Sequence, residues 1–238
     1  MTETVLVTGA NRGIGLEHVR QALAAGQFVI AACRTPEKAT ALDDLQQHFP
    51  ERLRIEPLDT GAAGSIAALA SRLDGVSIDI LINNAGLYGG GWDDSAARQT
   101  LEGMDYDQWE EILRVNVIGV FRLTVALLPN LKRGERKLVM MMSSDLGSIA
   151  NNTQGQSHAY RTSKAALNML TKGLSIDLRE QGVTVMSMAP GWTQTDLGGA
   201  NAPWPVDESV RRQREVIAEM TFARSGEFLN LNGKPVPW

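Results

Sequence analysis

Thr4-Val5-Leu6-Val7-Thr8-Gly9-Ala10-Asn11-Arg12-Gly13-Ile14-Gly15 runs from a short apolar stretch into a glycine-rich turn. The unbroken Val5-Leu6-Val7 predicts a strand over Thr4 to Thr8 that is buried on both faces. Past the turn, Val19 and Leu23 continue at helical spacing toward Gly26. In a strand–turn–helix of this kind the glycines let the backbone approach a pyrophosphate, and the helix N-terminus offers it unpaired N–H groups and a partial positive charge. Gly9, Asn11, Arg12, Gly13, Ile14 and Gly15 are therefore candidate cofactor-binding positions. The spacing is Gly-x-x-x-Gly-x-Gly, and a tight connection that binds nothing is the alternative.

Outward from this turn, strands and helices alternate. Strands are predicted over Phe28 to Cys33, Arg52 to Leu58, Ile78 to Ile82, Leu138 to Met142, Thr184 to Ala189 and Phe228 to Asn230. Helices are predicted over Lys38 to Phe49, Ile66 to Leu73, Tyr106 to about Leu128, His158 onward through Leu178, and Val206 to Met220. The alternation predicts an α/β chain, a doubly wound parallel sheet of about seven strands with helices on both faces, and residues 1–238 read as a single domain. In such a sheet ligands bind at the carboxyl ends of the strands, where the strand order reverses. The small residues Asn84, Ala85 and Gly86 follow one strand there, and Pro190 and Gly191 follow another, with Thr193 and Thr195 close behind. The tip of the second strand, which meets an adenosine ribose, is Cys33-Arg34 and carries no acid. Arg12 and Arg34 suit a 2′-phosphate through forked hydrogen bonds, so NADP(H) is expected in preference to NAD(H). Both arginines pairing with surface acids is the other reading. Asp59 suits a hydrogen bond to the adenine amino group and also a cap on the next helix through the following turn, two roles that do not exclude each other.

Tyr160 and Lys164 lie four residues apart, on one face of a helix. A fixed ammonium beside a phenol stabilises the phenolate, so this pair is expected to lower the phenol pKa and make Tyr160 a proton donor or acceptor. Alone, the pair reads as an ordinary surface contact; the glycine turn, Asn83-Asn84-Ala85-Gly86 and Pro190-Gly191 reverse that. Asn116 is out of place in its apolar helix and is expected to disturb the backbone ladder or hold a water. Met140, Met141 and Met142 read as core filler, and Ser144 as the residue at the end of their strand. Trp92, Trp192 and Trp204 hint at an apolar or aromatic guest, with simple packing the other reading.

With 238 residues, 43% of them hydrophobic and 21% charged, the chain sits in the ordinary globular range. A net charge of −4 with no long run of one sign asks for neither nucleic acid nor an anionic membrane. No apolar run is long enough to span a bilayer, and Met1-Thr2-Glu3-Thr4 lacks the basic start of a secretory signal. Cys33 is the one cysteine, which excludes an internal disulfide and suits a reducing, cytoplasmic setting. No metal site is expected.

Thr8-Gly9…Gly13-x-Gly15, Asn83-Asn84-Ala85-Gly86, Asn116, Ser144, Tyr160-x-x-x-Lys164 and Pro190-Gly191 together resemble the short-chain dehydrogenase/reductase family over nearly the whole chain. Around Tyr160-Arg161-Thr162-Ser163-Lys164-Ala165-Ala166-Leu167-Asn168 and at the carboxyl end, the sequence is most similar to the family's sniffer and C-factor-like carbonyl reductases. The resemblance implies a Rossmann-type fold and reversible, NADPH-dependent reduction of an aldehyde or ketone to an alcohol, in a homodimer or homotetramer. It implies Tyr160 as general acid or base, Ser144 on the substrate oxygen, and Lys164 on the nicotinamide ribose. It further implies Asn116 as keeper of a relay water, with Thr193 and Thr195 on the carboxamide. A dinucleotide-sensing regulatory protein of the same fold is the rival. Ser144 and Tyr160 stand further apart than is common in the family, and the extra residues, Asn151 to His158, are expected to border the substrate.

Overall fold

The computed structural model describes residues 2–90 and 95–238, so Trp92 lies outside the described residues. Strands β1 (Thr4–Thr8), β2 (Phe28–Cys33), β3 (Leu53–Pro57), β4 (Ile80–Asn83), β5 (Leu138–Met142), β6 (Thr184–Ala189) and β7 (Phe228–Asn230) form one parallel sheet. Their order is β3-β2-β1-β4-β5-β6-β7. The chain winds outward one way from β1 and the other way from β4, so the reversal falls between these two strands.

Successive side chains on a strand face opposite ways, and here both faces are covered. Val5, Val7, Ile82, Met140 and Met188 pack on one side with Leu16, Val19 and Leu23 of α1 (Gly13–Ala24) and Leu42 of α2 (Thr40–His48). Leu6, Leu81, Val139, Met141 and Val185 pack on the other side with Ile66 and Leu69 of α3 (Ala63–Arg72). The methionines are core filler, as expected, and Cys33 is buried.

The long helix expected from Tyr106 to Leu128 is broken. It consists of α4 (Tyr106–Leu113), a π-helical turn over Arg114–Gly119 and α5 (Val120–Ala126), followed by a separate α6 (Leu128–Arg133). The break centres on Asn116, whose amide brackets the backbone of Leu87. Its Oδ1 accepts from Leu87 N–H (2.7 Å) and its Nδ2 donates to Leu87 O (2.8 Å). A π turn re-aims one side chain at modest cost and recurs at functional sites. α7 (His158–Asp177) and α8 (Val206–Glu219) complete the layers, α7 beside β5 and β6, and α8 against α1. Among the described residues no helix is long and apolar enough to cross a membrane.

Candidate active site

The first wall of the site is the turn between β1 and α1. Gly9 (φ +63°) and Gly13 (φ +55°) take left-handed conformations that side chains disfavour. Gly15 is required by crowding, since a Cβ there would overlap the Gly9 carbonyl and stand 2.5 Å from Asn84 Nδ2. That amide donates to Thr8 O (2.8 Å), and Ala85 N–H donates to Thr8 Oγ1 (2.9 Å). Asn84, Ala85 and the glycine turn are therefore one stapled unit across the reversal between β1 and β4. α1 carries no side-chain cap and no acid in its first turn, so its leading N–H groups are open to an anion. Asn11 and Arg12 are exposed and Ile14 is partly buried against the core. Arg34 stands exposed at the tip of β2. Arg12 takes the alternative reading, pairing with Asp196 (2.7 Å) across to the segment after β6. Asp59 closes a turn by accepting from Gly61 N–H (2.8 Å).

The second wall lies between β5 and α7. Ser144 leads a 3-10 turn over Asp145–Gly147 and accepts Leu146 N–H on its hydroxyl (3.2 Å), and that hydroxyl acts on the Tyr160 phenol, favouring its ionised form. Tyr160 and Lys164 are both buried on α7. Lys164 Nζ donates to Met142 O (2.7 Å) and lies 5.4 Å from the centre of the Tyr160 ring. A Cβ built on Gly86 would stand 3.3 Å from Asn116 Oδ1 and 3.5 Å from Lys164 Nζ. Gly86, Asn116, Ser144, Tyr160 and Lys164, spread over nearly eighty residues of chain, thus converge.

The electrostatics differ from expectation in one respect. The phenol pKa was expected to fall; burial pushes it above the usual tyrosine value, and the Ser144 hydroxyl offsets this only in part. Burial acts on Lys164 too, lowering its pKa to about 8. Spacing along a helix fixes which groups are neighbours, but depth sets the sign of the shift.

The third wall follows β6. Gly191 (φ +73°) makes the turn, with the Trp204 ring against it. The hydroxyl of Thr193, expected on a carboxamide, faces inward within reach of Pro190 O (3.2 Å), Gly191 O (3.1 Å) and Ser209 Oγ (3.2 Å). Thr195 Oγ1 accepts Gly198 N–H (3.1 Å). Behind them a buried polar chain reaches α1. Ser209 donates to Pro190 O (2.8 Å), Gln213 Nε2 donates to Ser209 (2.9 Å), and Gln213 Oε1 faces His18 Nε2 (3.1 Å). Since the Gln213 nitrogen is committed to Ser209, the His18 proton sits on Nε2; burial holds that imidazole neutral, with a pKa of about 4. Of the tryptophans, Trp192 is half exposed and Trp204 lies under Arg212, 5.0 Å from its ring centre. Sequence reading did not find His18, Ser209 and Gln213, nor Tyr88 and Gln99 beside Tyr160; buried polar residues far apart in the chain leave no periodic signal.

A glycine turn stapled to a second strand end, facing a buried tyrosine–lysine pair with the half-buried Ser144 beside it, defines a dinucleotide-fold oxidoreductase. The chain belongs to the short chain dehydrogenase family, whose description matches residues 3–205. The C-signal protein of Myxococcus xanthus is 40% identical over 161 residues, covering 68% of this chain and 93% of that protein. Among solved structures, carbonyl reductase Sniffer of D. melanogaster superposes with a TM-score of 0.90 at 32% identity, covering all of both chains. An NADPH-bound carbonyl reductase from chicken fatty liver gives 0.90 at 37% identity, covering 100% of this chain and 99% of that one.

Proposed function

We propose that the protein reduces an aldehyde or ketone to an alcohol with NADPH, reversibly, using Tyr160 as general acid. The observation that carries this is the buried phenol held between Ser144 and Lys164, beside a turn whose glycines leave room that any Cβ would fill. Gly9, Asn11, Arg12, Gly13, Ile14 and Gly15 would hold the pyrophosphate and its ribose, with Asn84, Ala85 and Gly86 opposite. Pro190, Gly191, Thr193 and Thr195 would border the nicotinamide, Thr193 through its backbone because its hydroxyl is engaged. When bound, the dinucleotide supplies the hydride.

The chain's own part is orientation and a proton. Negative charge grows on the carbonyl oxygen as its carbon is reduced, and donors aimed at that oxygen lower the barrier. Tyr160 gives the proton, Ser144 donates to the same oxygen, and the Lys164 ammonium stabilises the phenolate left behind. A phenol raised by burial stays protonated through neutral pH, which favours the reductive direction. Asn116 Nδ2 is used up on Leu87 O and Ser163 Oγ (3.0 Å), so a relay water would be held by its other atoms.

The test of this site is its pH profile. The Lys164 charge is present below about 8 and lost above it. Turnover in the reductive direction is expected to fall as pH rises through that value, and Lys164→Arg, which keeps its charge, to move the fall upward by at least one pH unit. A profile flat to pH 10, or identical in the variant, contradicts the role given to the ammonium.

For the cofactor, NADPH is preferred because Arg34 and Arg12 meet no acid at the tip of β2. Asp196 competes with a 2′-phosphate for Arg12. Arg34→Ala is expected to weaken NADPH binding roughly tenfold, as loss of a charge-assisted pair does, and to leave NADH binding unchanged. An NADH preference indifferent to this substitution contradicts it.

Residues 1–238 act as one domain in this scheme, in the cytoplasm, on a small carbonyl or alcohol, with neither nucleic acid nor membrane as partner. A homodimer or homotetramer fits the apolar Phe121, Val125, Met169 and Ile176 left exposed along α5 and α7. The Myxococcus C-signal relative keeps a second reading open, a nucleotide-sensing regulator with little turnover.

A further inference from the structure

Helix α7 begins in an unusual way. Its N-cap, Ser157, has left-handed backbone (φ +46°) and makes no side-chain cap. The Ser157 hydroxyl is bonded instead to the hydroxyl of Tyr88 (2.8 Å). The orphan N–H of Tyr160, third residue of the helix, is taken by Gln99, which lies on a different segment and is fully buried. Gln99 Oε1 accepts from Tyr160 N–H (2.8 Å), and its Nε2 donates to Tyr88 O (2.7 Å). On the other side, Ser163 Oγ donates to Tyr160 O (2.7 Å) and accepts from Asn116 Nδ2, whose amide grips Leu87. The Tyr88 ring meets the Tyr160 ring edge to face, 5.0 Å between centres.

The backbone of Tyr160 is therefore held at both its N–H, by Gln99, and its C=O, by Ser163, and both side chains are linked to the Leu87–Tyr88 segment, Gln99 directly and Ser163 through Asn116. A surface helix is usually capped by its own N-cap residue, which fixes the helix and nothing else. Here the cap comes from Gln99, at the end of a 3-10 turn over Ala96–Gln99, which also holds Tyr88 O, so Tyr88, Gln99 and the phenol are one mechanical unit. We infer that Gln99, with Tyr88, is a positioning residue that aims the Tyr160 phenol by capping α7 from outside. Reorienting a reacting group by about 1 Å can cost on the order of a hundredfold in rate, and Gln99 touches none of the reacting atoms. Its effect on turnover rests on the reductase reading; the bracket itself does not.

The test uses Gln99→Met, which keeps the volume and loses both hydrogen bonds, and Gln99→Glu, which keeps the acceptor for Tyr160 N–H. In the NADPH-loaded protein, kcat is expected to fall at least tenfold in Gln99→Met, KM for NADPH to stay within twofold, and Gln99→Glu to recover part of kcat. Amide exchange at Tyr160 should quicken at least tenfold in Gln99→Met while Leu167 and Leu174, further along α7, keep their protection. Wild-type kcat in Gln99→Met, or protection lost equally along the whole helix, overturns the positioning role. Should wild-type protein turn over no carbonyl, the reductase reading falls, and Tyr160 exchange then decides the bracket alone: unchanged by Gln99→Met, it overturns it.

Discussion

Tyr160→Phe is expected to reduce NADPH-dependent carbonyl reduction by about a thousandfold, within the range a positioned general acid contributes. That corresponds to roughly 4 kcal/mol of lost transition-state stabilisation. The substitution removes one oxygen. The ring keeps its edge-to-face contact with Tyr88, and the backbone keeps Gln99 and Ser163, so the fold and the dinucleotide site should persist. NADPH affinity, measured by fluorescence titration, should stay within about threefold, which separates chemistry from binding. Ser144 still donates to the carbonyl oxygen but has no acid beside it. Turnover near that of the wild type would remove Tyr160 from the mechanism.

Gly15→Ala should cause a large loss of structure in the cofactor turn. The new Cβ would overlap the Gly9 carbonyl oxygen and stand 2.9 Å from the Gly9 carbonyl carbon, so backbone, not a flexible side chain, must give way. Overpacking of this kind costs about 1–3 kcal/mol, and a chain of this size loses roughly 2–4 °C of melting temperature per kcal/mol. A fall of about 2–12 °C is expected. The α1 N-terminus shifts with it, so dinucleotide affinity should drop more than tenfold. Gly64→Ala is the control. It lies in α3 with nothing within 4 Å of its added Cβ, and helix propensity favours the alanine there. If both variants melt alike and bind NADPH alike, the close approach at Gly15 is not what shapes the site.

These effects were legible in the sequence to different depths. The strands were, because Val5-Leu6-Val7 and Leu138 to Met142 are buried on both faces and so cannot alternate. A disturbance at Asn116 was legible, because an amide in an apolar helix must find partners, but the break into separate helices was not, and the partner it found is Leu87. The β4 strand shifted: it starts at Ile80 and runs to Asn83. Asp79, just before it, uses its carboxylate on Thr4 N–H (2.8 Å) and Glu135 N–H (2.8 Å). What sequence could not supply was depth and long-range pairing. Lys164 and Tyr160 were placed together by helical spacing, but the upward shift of the phenol follows from layers of chain stacked over it. Arg12 meets Asp196, and Gln99 meets Tyr160, only once the strands are in order. Thr193 turns inward because Ser209 of α8 lies behind it, a contact no local pattern encodes.

The most direct test of the proton-donor assembly follows the nicotinamide absorbance while wild-type protein and NADPH are mixed with a panel of aldehydes, diketones and quinones. The expected result is NADPH oxidation matched one-for-one by alcohol formed from at least one carbonyl, and lost in Tyr160→Phe. Tight NADPH binding with no oxidation across the panel would contradict it and favour a nucleotide sensor.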